Sequence, residues 1–156
     1  MNYLTEYFFS AANFSFLIPH YVIIRLMNTD IHEYFIRIVH ADRRYALEAY
    51  EFILEGLSFT QKSFRRTSHV SGQELVEGVK SLAVRKYGSL AFYVLQTWGV
   101  RTPLDIGRIV FIMIDHGLLS RRDEDTLQDF MLDFDLQKEC QRAYQLQVRR
   151  VVRRLH

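Results

Sequence analysis

The sequence has very few of the residues from which small functional sites are most often built. Its 156 residues include one cysteine, two prolines and seven glycines. The single cysteine, Cys140, cannot form an internal disulfide and lacks the paired spacing of a zinc site or a redox motif. The sequence also contains no phosphate-binding loop, dinucleotide fingerprint or glycine-flanked hydrolase serine. We therefore expect no cofactor, no metal site and no catalytic residue, and we expect a reducing, cytoplasmic compartment.

Long uninterrupted apolar runs are missing as well. No stretch of about 18 residues is free of polar side chains, so we predict no integral membrane segment. Residues 1–26 are rich in aromatic and aliphatic side chains, but Glu6 precedes any positive charge, unlike the start of a secretory signal. This segment is interpreted either as an extra N-terminal arm or as the product of a misassigned start codon, with Met27 the true start.

What the sequence does contain is typical of a folded helical domain. Apolar residues make up 49% of the chain, charged residues 24% and aromatic residues 14%. No segment shows the sustained two-residue alternation expected of a strand. The sequence therefore predicts an all-α fold, a compact orthogonal bundle of five to seven helices with little or no β structure. Residues 27–139 are expected to form this single helical domain.

Apolar residues recur at helical spacing along most of the chain. One stripe begins at Ile31, and a longer one runs within residues 44–64, where Gly56 favours close packing of another helix. The run from Ile106 to Ile114 is apolar almost all round, which predicts a helix at the centre of the core. The expected helix boundaries are marked, in chain order, by Ser71 with Glu74, Gly88, Ser89, Gly99, Thr102 with Pro103, and Gly117.

Three stretches of the chain carry a specific pattern. They are RYALEAYEFILEGLSFTQ from Arg44, HVSGQELVEGVKSLAVRKYG from His69, and WGVRTPLDIGRIVFIMIDHGLLSRRDEDTLQDF from Trp98. Together they resemble a conserved bacterial family, described mainly from planctomycetes and verrucomicrobia, whose function is unknown. The resemblance covers about residues 31–135 and leaves both ends of the chain outside. It implies a housekeeping-like intracellular role and supplies no catalytic residues.

The residues present disfavour two further hypotheses, a DNA-binding helix-turn-helix and a metal site shared by two histidines. In a helix-turn-helix, the helix from Pro103 would be the recognition helix, but it offers only Arg108 beside acids at positions 105 and 115, which phosphates would repel. His32 and His40 stand about 12 Å apart along a helix, too far to share a metal ion unaided. Catalysis by groups that converge from distant positions is kept as a third, weaker hypothesis.

Charge is distributed unevenly along the chain. The net charge is +2, yet residues 1–139 carry more acids than bases, whereas residues 140–156 carry five arginines and no acid. On a helix, Arg149 and Arg153 fall within about 20° of Arg142, and Arg150 and Arg154 lie beside them. The opposite arc is apolar and consists of Tyr144, Val148, Val151, Val152 and Leu155. Residues 140–156 are therefore predicted to form a basic amphipathic C-terminal helix.

The basic helix supplies the leading functional hypothesis. The protein is expected to be a non-enzymatic binding module that contacts nucleic acid or a ribonucleoprotein through Arg142, Arg149, Arg150, Arg153 and Arg154. The alternative is a protein–protein adaptor in which the basic helix is only structural and its arginines pair with the acidic segment before it. This segment carries Asp123, Glu124, Asp125, Asp129, Asp133 and Asp135. A second candidate partner surface is formed by Trp98 and Arg101. The sequence leaves the oligomeric state open.

Overall fold

The computed structural model describes residues 31–63, 70–120 and 125–154, and these ranges contain helices and connections but no β-strand. Six α-helices lie in them, so the all-α prediction and the expected number of helices are confirmed for this part of the chain. The orthogonal arrangement stays a prediction, and residues 1–26 and Met27 lie outside the described residues. The helices are α1 (Ile31–Ala41), α2 (Leu47–Ser63), α3 (Gly72–Tyr87), α4 (Ala91–Thr97), α5 (Pro103–Asp115) and α6 (Leu136–Arg154).

Helices α2 and α3 form the most extensive contact of the core. Their backbones approach closely at two glycines, because a Cβ on Gly56 would lie 2.6 Å from Cγ2 of Val79 and a Cβ on Gly78 would overlap the side chain of Thr60. The Thr60 hydroxyl is satisfied within its own helix, donating to the Gly56 carbonyl oxygen at 2.6 Å. The close approach expected at Gly56 is therefore present, and Gly78 is its unpredicted counterpart.

Four of the helix boundaries predicted from local sequence, at Ser71, Gly99, Thr102 and Gly117, are confirmed. Ser71 and Glu74 form a reciprocal capping box at the start of α3, and Thr102 and Asp105 form another at the start of α5. Gly99 and Gly117 adopt positive φ angles of 91° and 74° at helix ends. After each of them the next residue donates to a carbonyl five positions back, as in a Schellman motif.

One local expectation needs correction. Ser89 does not cap the next helix; it lies in a 3-10 turn, Gly88–Leu90, and α4 begins without a side-chain cap. The acidic segment forms a second 3-10 turn, Leu127–Phe130, which Thr126 and Asp129 cap reciprocally. Met131 in this segment is exposed, whereas Phe130 is buried.

Helix α5 is the apolar helix predicted for the centre of the core. Its inner face, formed by Ile106, Ile109 and Met113, is fully buried, while the residues between them are partly buried against the same core. Near its end, Nδ1 of His116 lies 2.8 Å from the carbonyl oxygen of Ile112, as expected for a histidine at a helix C-terminus. Within the described ranges, no helix is both long enough and apolar enough to cross a membrane.

Candidate nucleic-acid interface

The basic helix begins earlier than the sequence indicated, at Leu136 rather than Cys140. Asp135 starts it, because its Oδ1 accepts from the backbone N–H of Gln137 at 2.9 Å and of Lys138 at 3.2 Å. Leu136 and Cys140 are buried in the core. The predicted boundary between body and basic helix therefore falls inside one continuous helix, and the first part of α6 belongs to the body.

A buried lysine fastens this first part of α6 to α3. The side chain of Lys80 is only 8% exposed, and its Nζ lies 2.8 Å from Glu77 and 3.4 Å from Glu139 of α6. The ammonium also lies 5.8 Å from the centre of the Phe134 ring. A buried charge needs such partners, because leaving it unpaired is costly. Lys80 therefore constrains where α6 leaves the body.

The only cysteine of the sequence, Cys140, lies beside the Lys80 contact and is not in its reactive form. Burial raises the pKa of Cys140 to about 11, although Lys80 acts in the opposite direction. The thiol is therefore protonated at neutral pH, and the thiolate is the reactive form of cysteine. Cys140 acts as a small apolar side chain between α6 and the core.

Beyond Tyr144 the character of α6 changes. Ala143 and Tyr144 are partly buried, and the Tyr144 ring lies 3.5 Å from where a Cβ on Gly88 would be. Every residue from Gln145 to Arg154 is exposed. These residues extend the helix by about 15 Å without burial against the described part of the body. We call residues 145–154 the exposed end of α6.

Five arginines lie along one side of α6, four of them on its exposed end, and we call this side the arginine arc. Arg142 is the innermost of them and lies 3.6 Å from Glu139 of the same helix. The other four have no carboxylate within ion-pair distance in the described ranges. They are Arg149, Arg150, Arg153 and Arg154, and all are exposed. The five arginines predicted from sequence therefore lie on one helix, and the outer four are available to an external anion.

The acidic segment does not neutralise these four arginines in the part of the chain that is described. Asp129 caps the turn at Thr126, with 2.8 Å between Oδ2 and the Thr126 nitrogen. Asp135 caps α6 itself and lies 3.7 Å from Lys138. Two of the acids predicted as an internal partner for the arginines, Asp129 and Asp135, instead cap their own turn and helix. Asp123 and Glu124 lie outside the described residues.

The second candidate surface, Trp98 and Arg101, is placed differently. Trp98 packs against Phe52 and Tyr87, with ring centres 5.4 and 5.9 Å apart, and its carbonyl oxygen accepts from the Ala46 N–H at 3.0 Å. The side chain of Arg101 is exposed, and its backbone N–H donates to Asp105 at 3.1 Å. Trp98 thus joins the ends of α2, α3 and α4, and a role for this pair in binding a partner stays a prediction.

Asp105 lies at the start of α5, as the sequence indicates, but its burial and its distant partner Tyr45 were not predicted. Its carboxylate accepts from the Tyr45 hydroxyl at 2.9 Å, from Arg108 at 3.1 Å and from the hydroxyl and N–H of Thr102, each at 2.9 Å. Burial alone would raise the pKa of Asp105, but these hydrogen bonds outweigh it and the pKa lies below its ordinary value. Burial and the bond to Asp105 raise the pKa of Tyr45 to about 12. The cluster is a hydrogen-bonded structural network in which Asp105 is charged and Tyr45 is neutral at neutral pH.

Three further features of the described ranges concern a metal ion, a pocket and a recognition helix. No group of three or more His, Cys, Asp or Glu side chains there is placed to hold a metal ion. A pocket between α2, α3, α5 and the second 3-10 turn is lined mainly by apolar residues such as Leu57, Val110 and Phe111, with Asp125 and Asp129 its ionisable groups. Helix α5 uses Arg108 to pair with Asp105 rather than presenting it as a recognition helix would.

No protein-family model, curated protein or solved structure was found to match this chain. The resemblance to the planctomycete and verrucomicrobial family therefore stays a prediction from the three sequence stretches.

Proposed function

We propose that this protein is a non-enzymatic, cytoplasmic binding module that contacts nucleic acid or a ribonucleoprotein through the arginine arc of α6. One observation carries the proposal. The arc places Arg149, Arg150, Arg153 and Arg154 on an exposed helix end, with no carboxylate paired to them in the described ranges. Guanidinium groups bind phosphate oxygens through two parallel hydrogen bonds, and each phosphate contact releases condensed counterions.

The residue types of the arc favour contact with the phosphate backbone over reading of bases. Bases of single strands are held by stacking on exposed aromatic rings, and the aromatic residue nearest the arc, Tyr144, is partly buried against the body. Leu146 is the apolar residue between Arg142 and Arg149 along the arc. We therefore expect binding that depends strongly on salt and weakly on sequence.

The test compares two variants that lower the net charge equally. In the first, Arg149, Arg150, Arg153 and Arg154 are replaced by Gln. In the matched control, four exposed cations of the body are replaced by Gln instead. These four are Arg37, Arg43, Lys62 and Arg85. Binding of each protein to labelled duplex and single-stranded oligonucleotides is measured by fluorescence anisotropy over a range of salt concentrations.

The arc variant is expected to bind at least about tenfold more weakly at low salt than the natural chain. Its slope of log affinity against log salt should be shallower, by up to about 0.9 for each lost phosphate contact on duplex DNA. The body variant should keep most of the affinity and the slope. Equal losses in both variants, or no binding of the natural chain at low salt, would contradict the proposal.

The protein-adaptor alternative is favoured by one observation. Three valines near the end of α6 are half-exposed, which a nucleic-acid contact on the arginine arc does not explain. A pull-down of the natural chain after nuclease treatment distinguishes the two functions. The adaptor function predicts that one other protein is recovered in stoichiometric amount, and that the arc variant recovers the same amount of it. This result would count against nucleic-acid binding.

A further inference from the structure

The four outer arginines of the arginine arc form two rows on the exposed end of α6. Arg149 and Arg153 make up the first row. Arg150 and Arg154 make up the second. Within each row the two residues are four positions apart, so they share one face of the helix and lie about 6 Å apart along its axis. From one row to the other the direction turns by about 100°. The outer arginines therefore present two pairs of cations in two different directions.

Both rows are open to a large polyanion. Every residue from Gln145 to Arg154 is exposed, and none of them is an acid. The only acid of α6, Glu139, lies 3.6 Å from Arg142, outside the two rows. A phosphate chain that lies across the exposed end can therefore contact both rows without meeting a carboxylate of this helix.

Two rows in different directions suit two phosphate strands. In a duplex the phosphates lie in two fixed rows, one on each side of a groove, with about one charge per 1.7 Å of duplex axis. The grooves of B-form DNA are about 6 and 12 Å wide, so divergent arginine side chains of one helix can reach both edges. A single strand has about half as many charges per length, and it must wrap around α6 to contact both rows. Two strands therefore allow more contacts at a lower cost in conformational freedom.

The exposed end also lacks the side chains that hold single strands. None of residues 145–154 is aromatic. Single-stranded bases are bound by stacking on such rings, which contacts with duplex phosphates do not need. We infer that the arginine arc binds double-stranded nucleic acid, with one row of arginines on the phosphates of each strand. The inference rests on the proposed function and names the form of nucleic acid that the arc takes.

The preference for a duplex is measured on the full chain by fluorescence anisotropy at one low salt concentration. The probes are a short DNA duplex, one of its strands, an RNA duplex of the same sequence and one RNA strand. We expect the better of the two duplexes to bind at least about tenfold more tightly than its own single strand. DNA and RNA duplexes share the two rows of phosphates, and the tighter duplex identifies the nucleic acid.

Two double variants that lose the same charge separate the effect of the rows from that of charge alone. Arg149→Gln with Arg153→Gln removes the first row and leaves both remaining outer arginines in one row. Arg150→Gln with Arg153→Gln leaves Arg149 and Arg154, which point about 140° apart. Gln favours helices about as strongly as Arg, so both variants keep α6.

The two variants should respond differently to a duplex and to a single strand. The variant that keeps one complete row can still follow a single strand. The variant with divergent arginines can use both of them only on a duplex. The ratio of duplex affinity to single-strand affinity should therefore be at least about threefold higher for Arg150→Gln with Arg153→Gln than for the other variant.

The outcomes distinguish this inference from the proposed function. If the natural chain bound duplexes and single strands equally, or if both variants showed the same ratio, binding to two strands would be wrong and the proposed function would stand. If the natural chain bound none of the four probes at low salt, both would be overturned.

Discussion

Asp105 is the residue through which α5 is joined to the loop before α2. Its carboxylate bonds to Tyr45, sixty positions away in the chain, as well as to its own helix start. The hydrogen bonds favour the charged form, so the pKa in the folded protein lies below the ordinary value of 3.8. Stability supplied by this group is therefore complete above the unfolded-state pKa and is lost as the pH falls through the folded-state pKa.

We expect Asp105→Asn to lower the free energy of unfolding by about 1.5–3 kcal/mol at neutral pH, because charge-assisted hydrogen bonds are weakened. The difference from the natural chain should shrink as the pH falls below about 4. Urea unfolding at several pH values measures it. Asp115→Asn, at an exposed position on the same helix, is the control and should change stability little. If the loss of unfolding free energy caused by Asp105→Asn did not vary with pH, this account would be contradicted.

Gly78 is the position at which α3 approaches α2 most closely. A methyl group there would overlap Thr60, whose own side chain is fully buried. Gly78→Ala should therefore destabilise the fold by about 1–3 kcal/mol, even though alanine favours helices. Urea unfolding provides the measurement, with Ser81→Ala on the exposed face of α3 as control. An increase in stability for Gly78→Ala would show that α2 and α3 are not packed this closely.

At the scale of the element, α6 is one helix with two environments. Its first turns are held by Leu136, Cys140 and the pairing of Lys80 with Glu139, while its last ten residues are exposed. Capping by Asp135 defines the start of the helix, and packing over Gly88 ends its contact with the body. The direction of the arginine arc therefore depends on contacts made by the first turns.

We expect Lys80→Ala to loosen the docking of α6, with a loss of about 1–3 kcal/mol in the free energy of unfolding. Amide hydrogen exchange should increase most in residues 136–144, since their contact with α3 is weakened. Lys138→Ala is the control, because Lys138 is 81% exposed and pairs only with Asp135 in the described ranges. A uniform increase in amide hydrogen exchange throughout the core would show that Lys80 supports the whole fold and not α6 in particular.

At the scale of the whole molecule, charge and burial are separated along the chain. The described part of the body pairs many of its charges internally, as Lys86 with Glu55 and Arg108 with Asp105 do. The end of α6 carries four arginines with no such partners in the described ranges.

The sequence by itself determined the helical class, the capping boxes at Ser71 and Thr102, and the helix ends at Gly99 and Gly117. It also determined the two arcs of α6, because all of these depend on residues three to five positions apart. Only the tertiary structure decided that Lys80 is buried against Glu139 and that Asp105 bonds to Tyr45. These contacts join residues about sixty positions apart, and no local pattern specifies which distant side chains meet. For the same reason, the sequence showed which residues share the arginine arc, while the structure decided that the arc is exposed.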